Sequence, residues 1–229
     1  GPLSPLLSNI MLNELDKELE RRGLPFVRYA DDSMIFCKSK RAAMRVKESI
    51  TRFIENVLYL KVNKEKTVVS YVRGVKYLGY SFYVMKGKCQ LTVHPKSKAK
   101  MKSKLKELTS RSKGWGYAKR KQKLKEYIRG WVGYYHLANM KRLLLVTDEW
   151  LRRRIRMCIW KAWKKPKTKV ANLIKCGINK YQAYEWGNTR KGYWRIADSY
   201  ILHRAITNEH LCRAGYATLM DAYLEWYPK

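Results

Sequence analysis

The apolar residues of this chain change their period once, near residues 93–95. Before that point, short runs rich in β-branched and aromatic residues alternate with amphipathic helical patterns, which predicts an α+β region over residues 1–94. After it, apolar residues recur at helical spacing, which predicts an all-α region over residues 95–167. Residues 168–229 carry shorter helical patterns separated by glycines. We therefore expect three domains with these boundaries.

The first region opens with a predicted helix that Ser4-Pro5 begins and Arg22-Gly23 ends. A basic helix is expected over Lys40–Val57. Between the two helices, "FVRYADDSMIF" places two adjacent acids, Asp31 and Asp32, between apolar runs, which predicts a β-hairpin with these acids at its turn. Three further strands are predicted: Thr67–Val72, Tyr77–Val84 and Cys89–Val93.

The second region contains three predicted helices, Ser97–Arg111, Tyr117–Leu137 and Lys141–Lys164. On the third helix, one apolar stripe is suited to packing. A second stripe at positions i, i+3, i+7 and i+11 carries polar and aromatic residues, which suggests a face that binds phosphates. Its members are Arg153, Arg156, Trp160 and Lys164.

Charge is distributed unevenly along the chain. The 50 Lys and Arg residues outnumber the 18 Asp and Glu residues and give a net charge of +32. Residues 95–165 hold 23 basic and 4 acidic side chains, +19 of that total. Such a surplus destabilises a compact protein unless a polyanion screens it, so we expect nucleic acid as the partner and residues 95–165 as its main contact.

The cysteines and the hydropathy pattern exclude several other classes of protein. Five widely spaced cysteines without a C-x-x-C pair favour reduced thiols over disulfides or zinc ligands. No apolar run approaches the ~20 residues that a membrane helix needs. We therefore expect a cytoplasmic protein without a membrane partner. The chain begins with Gly1 rather than Met, and we expect it to be a fragment or a processed form.

The Asp31-Asp32 pair has two interpretations on its own. Adjacent carboxylates repel each other unless water or a cation neutralises them, so the pair is either a solvated turn or a site for a divalent metal ion. These eleven residues alone do not distinguish the two interpretations, and the rest of the sequence has to decide.

Five segments together resemble a known family. They are "GPLSPLLSNIMLNELD" at 1–16, "YADD" at 29–32, "LKVNKEKT" at 60–67, "VKYLGYSF" at 75–82 and "IRGWVGYY" at 128–135. In this order they resemble conserved blocks of the reverse transcriptases encoded by group II introns, which also act as splicing maturases. The resemblance implies a partial right-hand polymerase palm, a helical thumb (maturase domain X) and a small helical C-terminal region that binds target DNA.

The resemblance also implies roles for single residues. Asp31 would be a ligand of two Mg²⁺ ions, and Asp32 would be a weaker or indirect ligand. Tyr29, Ala30 and Gly79 would contact the primer or the incoming dNTP. Lys66 matches the position of a candidate general acid, although a solvated lysine is an equally good interpretation. In the thumb, Arg129 is expected to contact RNA.

The neighbouring Trp131 and Tyr135 more plausibly pack the thumb core than contact RNA. They stand one helical turn apart on the second predicted helix of the thumb, as packed aromatic pairs do.

A palm polymerase needs another aspartate. This family places it on a strand before the Gly-rich block, which is the block that residues 1–16 resemble. That strand and the fingers blocks are not among these 229 residues, so we expect no polymerase activity from them alone. Asp16 is the first carboxylate to test as a replacement ligand.

The sequence therefore predicts an RNA-directed DNA polymerase and maturase with two-metal nucleotidyl transfer. Its expected partners are group II intron RNA, an RNA template with a DNA primer, dNTPs and target DNA, and a homodimer is left open. The alternative is a non-catalytic splicing factor that binds RNA through its basic thumb.

Overall fold

The computed structural model describes residues 3–227. Residues 1 and 2 of the predicted Gly-rich block and residues 228 and 229 of the C-terminal region lie outside this range. The chain forms two compact units, residues 1–89 and 90–229. As expected, the fold is α+β, with small antiparallel sheets and otherwise helices.

The first unit begins with four elements that share one core. They are α1 (Ser4–Arg21), β1 (Phe26–Tyr29), β2 (Asp32–Ile35) and α2 (Lys40–Asn56). Leu15 and Leu19 of α1 are buried against Ile50 of α2, and the hairpin residues Phe26 and Ile35 pack on this cluster. Burial of one face of each helix holds the hairpin in place, since a two-stranded hairpin alone is marginally stable in water.

Two tight turns shape the strands of this unit. In the β1–β2 hairpin Tyr29 pairs with Asp32, which leaves Ala30-Asp31 as a two-residue loop. A 3₁₀ helix (Val72–Gly74) precedes β3 (Lys76–Tyr77) and β4 (Tyr80–Met85). Tyr77 pairs with Tyr80, so Leu78-Gly79 forms a second two-residue loop, with φ of 49° and 81°. Positive φ at both central residues is the requirement of a type I′ hairpin turn, and glycine satisfies it without strain.

Two local predictions for this unit are wrong. Gly79 lies in the β3–β4 turn rather than inside a strand. Residues 67–71 form no strand, and Val68 and Tyr71 in this stretch are 71% and 80% exposed. β-Branched residues favour a strand mainly through packing against neighbouring strands and burial, and such exposed side chains gain neither.

The second unit is built on three long helices that were predicted within a few residues. The first elements are β5 (Lys88–Val93), α3 (Pro95–Leu108), α4 (Tyr117–Tyr135) and α5 (Lys141–Ala162). Six shorter helices follow: α6 (Pro166–Lys175), α7 (Lys180–Gly187), α8 (Tyr193–Ile196), α9 (Tyr200–Ala205), α10 (Asn208–Arg213) and α11 (Leu219–Leu224). β5 completes a sheet of strand order β3-β4-β5.

The C-terminal segment packs against the long helices of the same unit. Helices α3, α8 and α11 all contact α5, and α11 also contacts α4. The buried Asp148 of α5 accepts hydrogen bonds from the backbone N–H groups of Leu219 and Met220 at 2.8 and 2.9 Å. Tyr223 donates a hydrogen bond to the Ala138 carbonyl at 3.2 Å. Residues 90–229 are therefore one compact body, and the expected functional boundary near residue 167 stays a prediction.

Within residues 3–227 no helix is both long and apolar enough to cross a bilayer.

Candidate active site and nucleic-acid interface

The two acids of the hairpin lie side by side at its tip. Asp31 is in the two-residue loop, and Asp32 is the first residue of β2. Both side chains are exposed. Across residues 3–227, neither carboxylate forms an ion pair with a basic side chain. Within the described residues, the hairpin therefore presents two adjacent carboxylates that repel each other and have no basic partner at ion-pair distance.

Arg28 of β1 ties this tip to helix α1. Its guanidinium donates to both carboxylate oxygens of Asp16, with Nε–Oδ1 and Nη2–Oδ2 distances of 2.8 and 2.5 Å. It also donates to Asn9 Oδ1 at 2.9 Å and to the Ala30 carbonyl at 3.0 Å. The Arg28 and Asp16 side chains are only 13% and 21% exposed. The hydrogen bonds that Arg28 donates to Asp16 raise the pKa of Arg28 above its usual value.

The contacts of Arg28 show that the Asp16 carboxylate already has a cationic partner. Both of its oxygens accept hydrogen bonds from Arg28, so its carboxylate is already neutralised. The sequence pattern missed Arg28 altogether. Two sequence signals could have revealed the Arg28–Asp16 pair. One is a basic residue three positions before the acid pair, and the other is a lone Asp on the preceding amphipathic helix.

The remaining residues of the predicted catalytic set lie in the same unit. Tyr29 is 66% exposed, and Ala30 has a φ of 51°, in the left-handed region that favours glycine. Lys66 is exposed in a turn in which its backbone N–H donates to Asn63 Oδ1 at 3.1 Å. Burial raises the pKa of Tyr77, with the negative charge of Asp32 as a second cause.

The two hairpin acids are candidate ligands for part of a metal site. Two exposed, adjacent carboxylates provide the oxygen ligands that Mg²⁺ prefers. In the described part of the chain, however, no three His, Cys, Asp or Glu side chains cluster closely enough to hold a metal ion. Asp31 and Asp32 therefore fit Mg²⁺ as two ligands of an incomplete set.

Helix α3 carries a basic surface of the second unit. Lysine occurs at every second position from 96 to 106, while a stripe of Ser97, Met101, Leu105 and Leu108 is buried. An α-helix turns about 100° per residue, so lysines two apart lie on opposite flanks of that buried stripe. Lys104 pairs with Glu107, whose pKa falls to about 2 because Lys104 and Lys113 donate hydrogen bonds to it.

The predicted phosphate-binding stripe of α5 is only partly at the surface. Arg156 is 3% exposed and donates to the Ile206 carbonyl at 2.8 Å and to Asn208 Oδ1 at 2.9 Å. Trp160 is 1% exposed. These two side chains cannot reach RNA in this structure, so the sequence interpretation is wrong for them. The physical reason is that shorter helices cover this side of α5, which the spacing of its own residues does not reveal.

The other two members of that stripe differ from each other. Arg153 forms an ion pair with Asp198 at 2.8 Å, donates to the Trp194 carbonyl at 3.0 Å, and stacks on the Trp194 ring at 3.9 Å from its centroid. Its charge is already balanced. Lys164 is exposed and remains available to a phosphate.

The aromatic cluster of α4 is half-buried. The rings of Trp131 and Tyr135 are 4.8 Å apart, which agrees with the packing role favoured for them. Tyr134 is 53% exposed. The Arg129 side chain is 58% exposed and lies 3.8 Å from an equally exposed Glu225, a pair that contributes little to stability.

Comparison with known proteins adds two family matches. Residues 1–82 match the model of the reverse transcriptase (RNA-dependent DNA polymerase) family, and residues 98–177 match the group II intron, maturase-specific domain. Protein YkfC of Escherichia coli (strain K12) is 30% identical over a match that covers 35% of this chain. That match spans 30% of the length of YkfC.

Proposed function

The chain belongs to the reverse transcriptases and maturases encoded by group II introns, and on this premise we propose that it serves RNA-directed DNA synthesis and intron splicing. The first unit would contribute to the polymerase site, and the second would bind RNA. The two roles depend on different observations and have different tests.

The proposal for catalysis depends on the Asp31-Asp32 tip. We assign these carboxylates as two Mg²⁺ ligands, because they are adjacent and exposed and form no ion pair with a basic side chain of residues 3–227. Bound Mg²⁺ would neutralise the charge that develops on a dNTP during nucleotidyl transfer. Arg28 would act as a positioning residue, since it fixes the backbone of the turn without contacting substrate.

The neighbouring roles follow from the same assignment. Tyr29, Ala30 and Gly79 are proposed to lie along the primer and the incoming dNTP. Lys66 is proposed to donate a proton to the departing pyrophosphate, and its exposed position leaves the side chain free to do so.

The proposal for splicing depends on the basic surface of the second unit. We assign intron RNA to the exposed lysines of α3, together with Arg129 and Lys164. Phosphate contacts of this kind dominate affinity for nucleic acid and make it dependent on salt. Target DNA remains the proposed partner of residues 168–229.

A second candidate function is a splicing factor without catalysis. It is favoured by the concentration of charge in residues 95–165 and by the incomplete carboxylate set among residues 3–227. In that case the hairpin acids would be a solvated turn, and the first unit would only support the RNA-binding unit.

The experiment that separates the two functions is Asp31→Asn in the protein as its gene encodes it. We expect loss of cDNA synthesis with RNA affinity nearly unchanged, because this carboxylate acts on the reaction and not on the polyanion. Glu20→Gln, which removes the same charge from an exposed site on α1, is the matched control and should leave synthesis intact. Synthesis near the wild-type rate in Asp31→Asn would contradict the metal assignment.

A further inference from the structure

A groove of about 490 Å³ lies between α3, α5 and α8 in the second unit. Trp150 and Arg154 of α5 line it, Lys102, Ser103 and Lys106 of α3 lie along one side, and Trp194 of α8 lies on the other. The RNA-binding role proposed above includes Lys102 and Lys106 among the exposed lysines of α3, but it gives no part to Trp150, Arg154 or Trp194. Its size is in the range of pockets that accept small organic groups.

The two tryptophan rings are held in place by arginines. Arg153 stacks on Trp194 and donates hydrogen bonds to its carbonyl, while its own charge is balanced by Asp198. Arg154 lies 5.3 Å from the centre of the Trp150 ring, and it donates to Thr109 Oγ1 at 2.6 Å. Rigid rings lose little entropy when a planar group stacks on them, so the groove is preorganised.

The charge of the groove is positive and not compensated. Lys102, Lys106 and Arg154 supply three cations, and Lys102 Nζ lies 5.2 Å from the centre of the Trp150 ring. In the part of the chain that the structure describes, no carboxylate lines the groove. The nearby acid of α3, Glu107, is engaged by Lys104 and Lys113.

We propose that this groove binds an unpaired nucleotide of RNA, with the base stacked against Trp194 and Trp150 and the flanking phosphates on Lys102 and Lys106. The proposal rests on the RNA-binding function proposed above, and it adds a preference for unpaired over fully paired RNA. A base inside a duplex has both faces covered by its neighbours, whereas an unpaired base can stack on an aromatic side chain. A protein partner is disfavoured, because lysine is depleted from protein–protein interfaces.

The test compares two double variants of α3 in the full chain. Lys102→Gln with Lys106→Gln removes two charges from the groove, and Lys96→Gln with Lys100→Gln removes two from other exposed positions of the same helix. Each protein is titrated with a hairpin RNA that has an unpaired internal loop and with a fully paired RNA of the same number of nucleotides. We expect the groove variant alone to lose the preference for the looped RNA.

Two single variants test the stacking itself. Trp194→Leu should reduce the preference for looped RNA by roughly 5-fold or more, the lower end of what one stacked base contributes. Ser103→Glu places a carboxylate in the groove from an exposed helical position, so it should remove the preference without disturbing the core. Tyr181→Leu, at an aromatic ring that is 83% exposed, is the control for loss of a surface aromatic.

The outcomes separate the two proposals. Wild-type protein that binds neither RNA overturns the RNA-binding function and this inference with it. Protein that binds both RNAs, with a preference that the groove variants leave unchanged, overturns the inference alone, as would be expected for a groove that serves a protein partner. Loss of preference in the groove variants and in Ser103→Glu, but not in the controls, supports the inference.

Discussion

Arg28 shows how much of the candidate active site depends on one side chain. Its guanidinium joins Asn9 and Asp16 of α1 to the carbonyl of Ala30, beside the two acids. Ala30 has a left-handed φ, which costs an L-residue roughly 1–2 kcal/mol. The hydrogen bond to its carbonyl and the fixed position of Arg28 help to hold this conformation.

We predict that Arg28→Ala destabilises the chain by about 2 kcal/mol, because it leaves the mostly buried Asp16 carboxylate without a partner. Urea unfolding measures this loss. Arg52→Ala, which removes an exposed arginine from a 3.5 Å pair on α2, is the control and should change stability by less than about 0.5 kcal/mol. Equal effects of the two substitutions would show that Arg28 does not tie the turn to α1.

At the scale of elements, α5 is the centre of the second unit. Its buried polar residues are used for packing: Arg156 holds residues 206–208, and Asp148 caps the start of α11. Two charges inside a very basic protein thus fix short helices that have few residues of their own to bury. Arg156 is therefore expected to affect stability when it is changed, and not the salt dependence of RNA binding.

Asp148 gives a prediction with a pH dependence. Burial is the main cause that raises its pKa above the usual 3.8. The folded state then binds this proton more tightly than the unfolded state does, so the stability that the group contributes falls as pH rises above 3.8. We expect Asp148→Ala to lower the free energy of unfolding by about 2 kcal/mol, because two backbone N–H groups lose their acceptor.

Asp148→Asn separates the charge from the hydrogen bonds. It keeps one acceptor oxygen and cannot ionise, so it should be less destabilising than Asp148→Ala. The stability of the wild type relative to Asp148→Asn should decline as the pH rises above 3.8, as measured by urea unfolding at a series of pH values. A difference that rises with pH would mean that the two N–H groups outweigh burial and lower the pKa.

At the scale of the whole molecule, the basic surplus and the hairpin acids lie in different parts of the chain. Residues 95–165 hold +19 of the net +32, and the hairpin acids lie in the other compact unit. Binding of RNA and extension of a primer should therefore respond to different substitutions.

We predict that these 229 residues alone bind structured RNA and do not extend a primer with Mg²⁺ and dNTPs, because Asp16 is engaged by Arg28 and no third carboxylate joins the tip among residues 3–227. Each lost phosphate contact, for example in Lys164→Gln, should lower the magnitude of the negative slope of log affinity against log salt by roughly 0.7–0.9. Primer extension by these residues that disappears in Asp31→Asn would contradict this prediction and would show that another carboxylate completes the set, with Asp16 as the first to test.

The sequence by itself determined the family, the α+β class, the long helices and the hairpin with its acid pair. These depend on local spacing and on motifs that adjacent residues carry, such as Tyr29 to Asp32 or the lysines of α3. Only the tertiary structure decided that Asp16 forms an ion pair with Arg28, that Arg156 and Trp160 are buried, and that residues 67–71 form no strand. Each of these outcomes depends on which distant segment packs against a residue, and helical or strand periodicity contains no information about that partner.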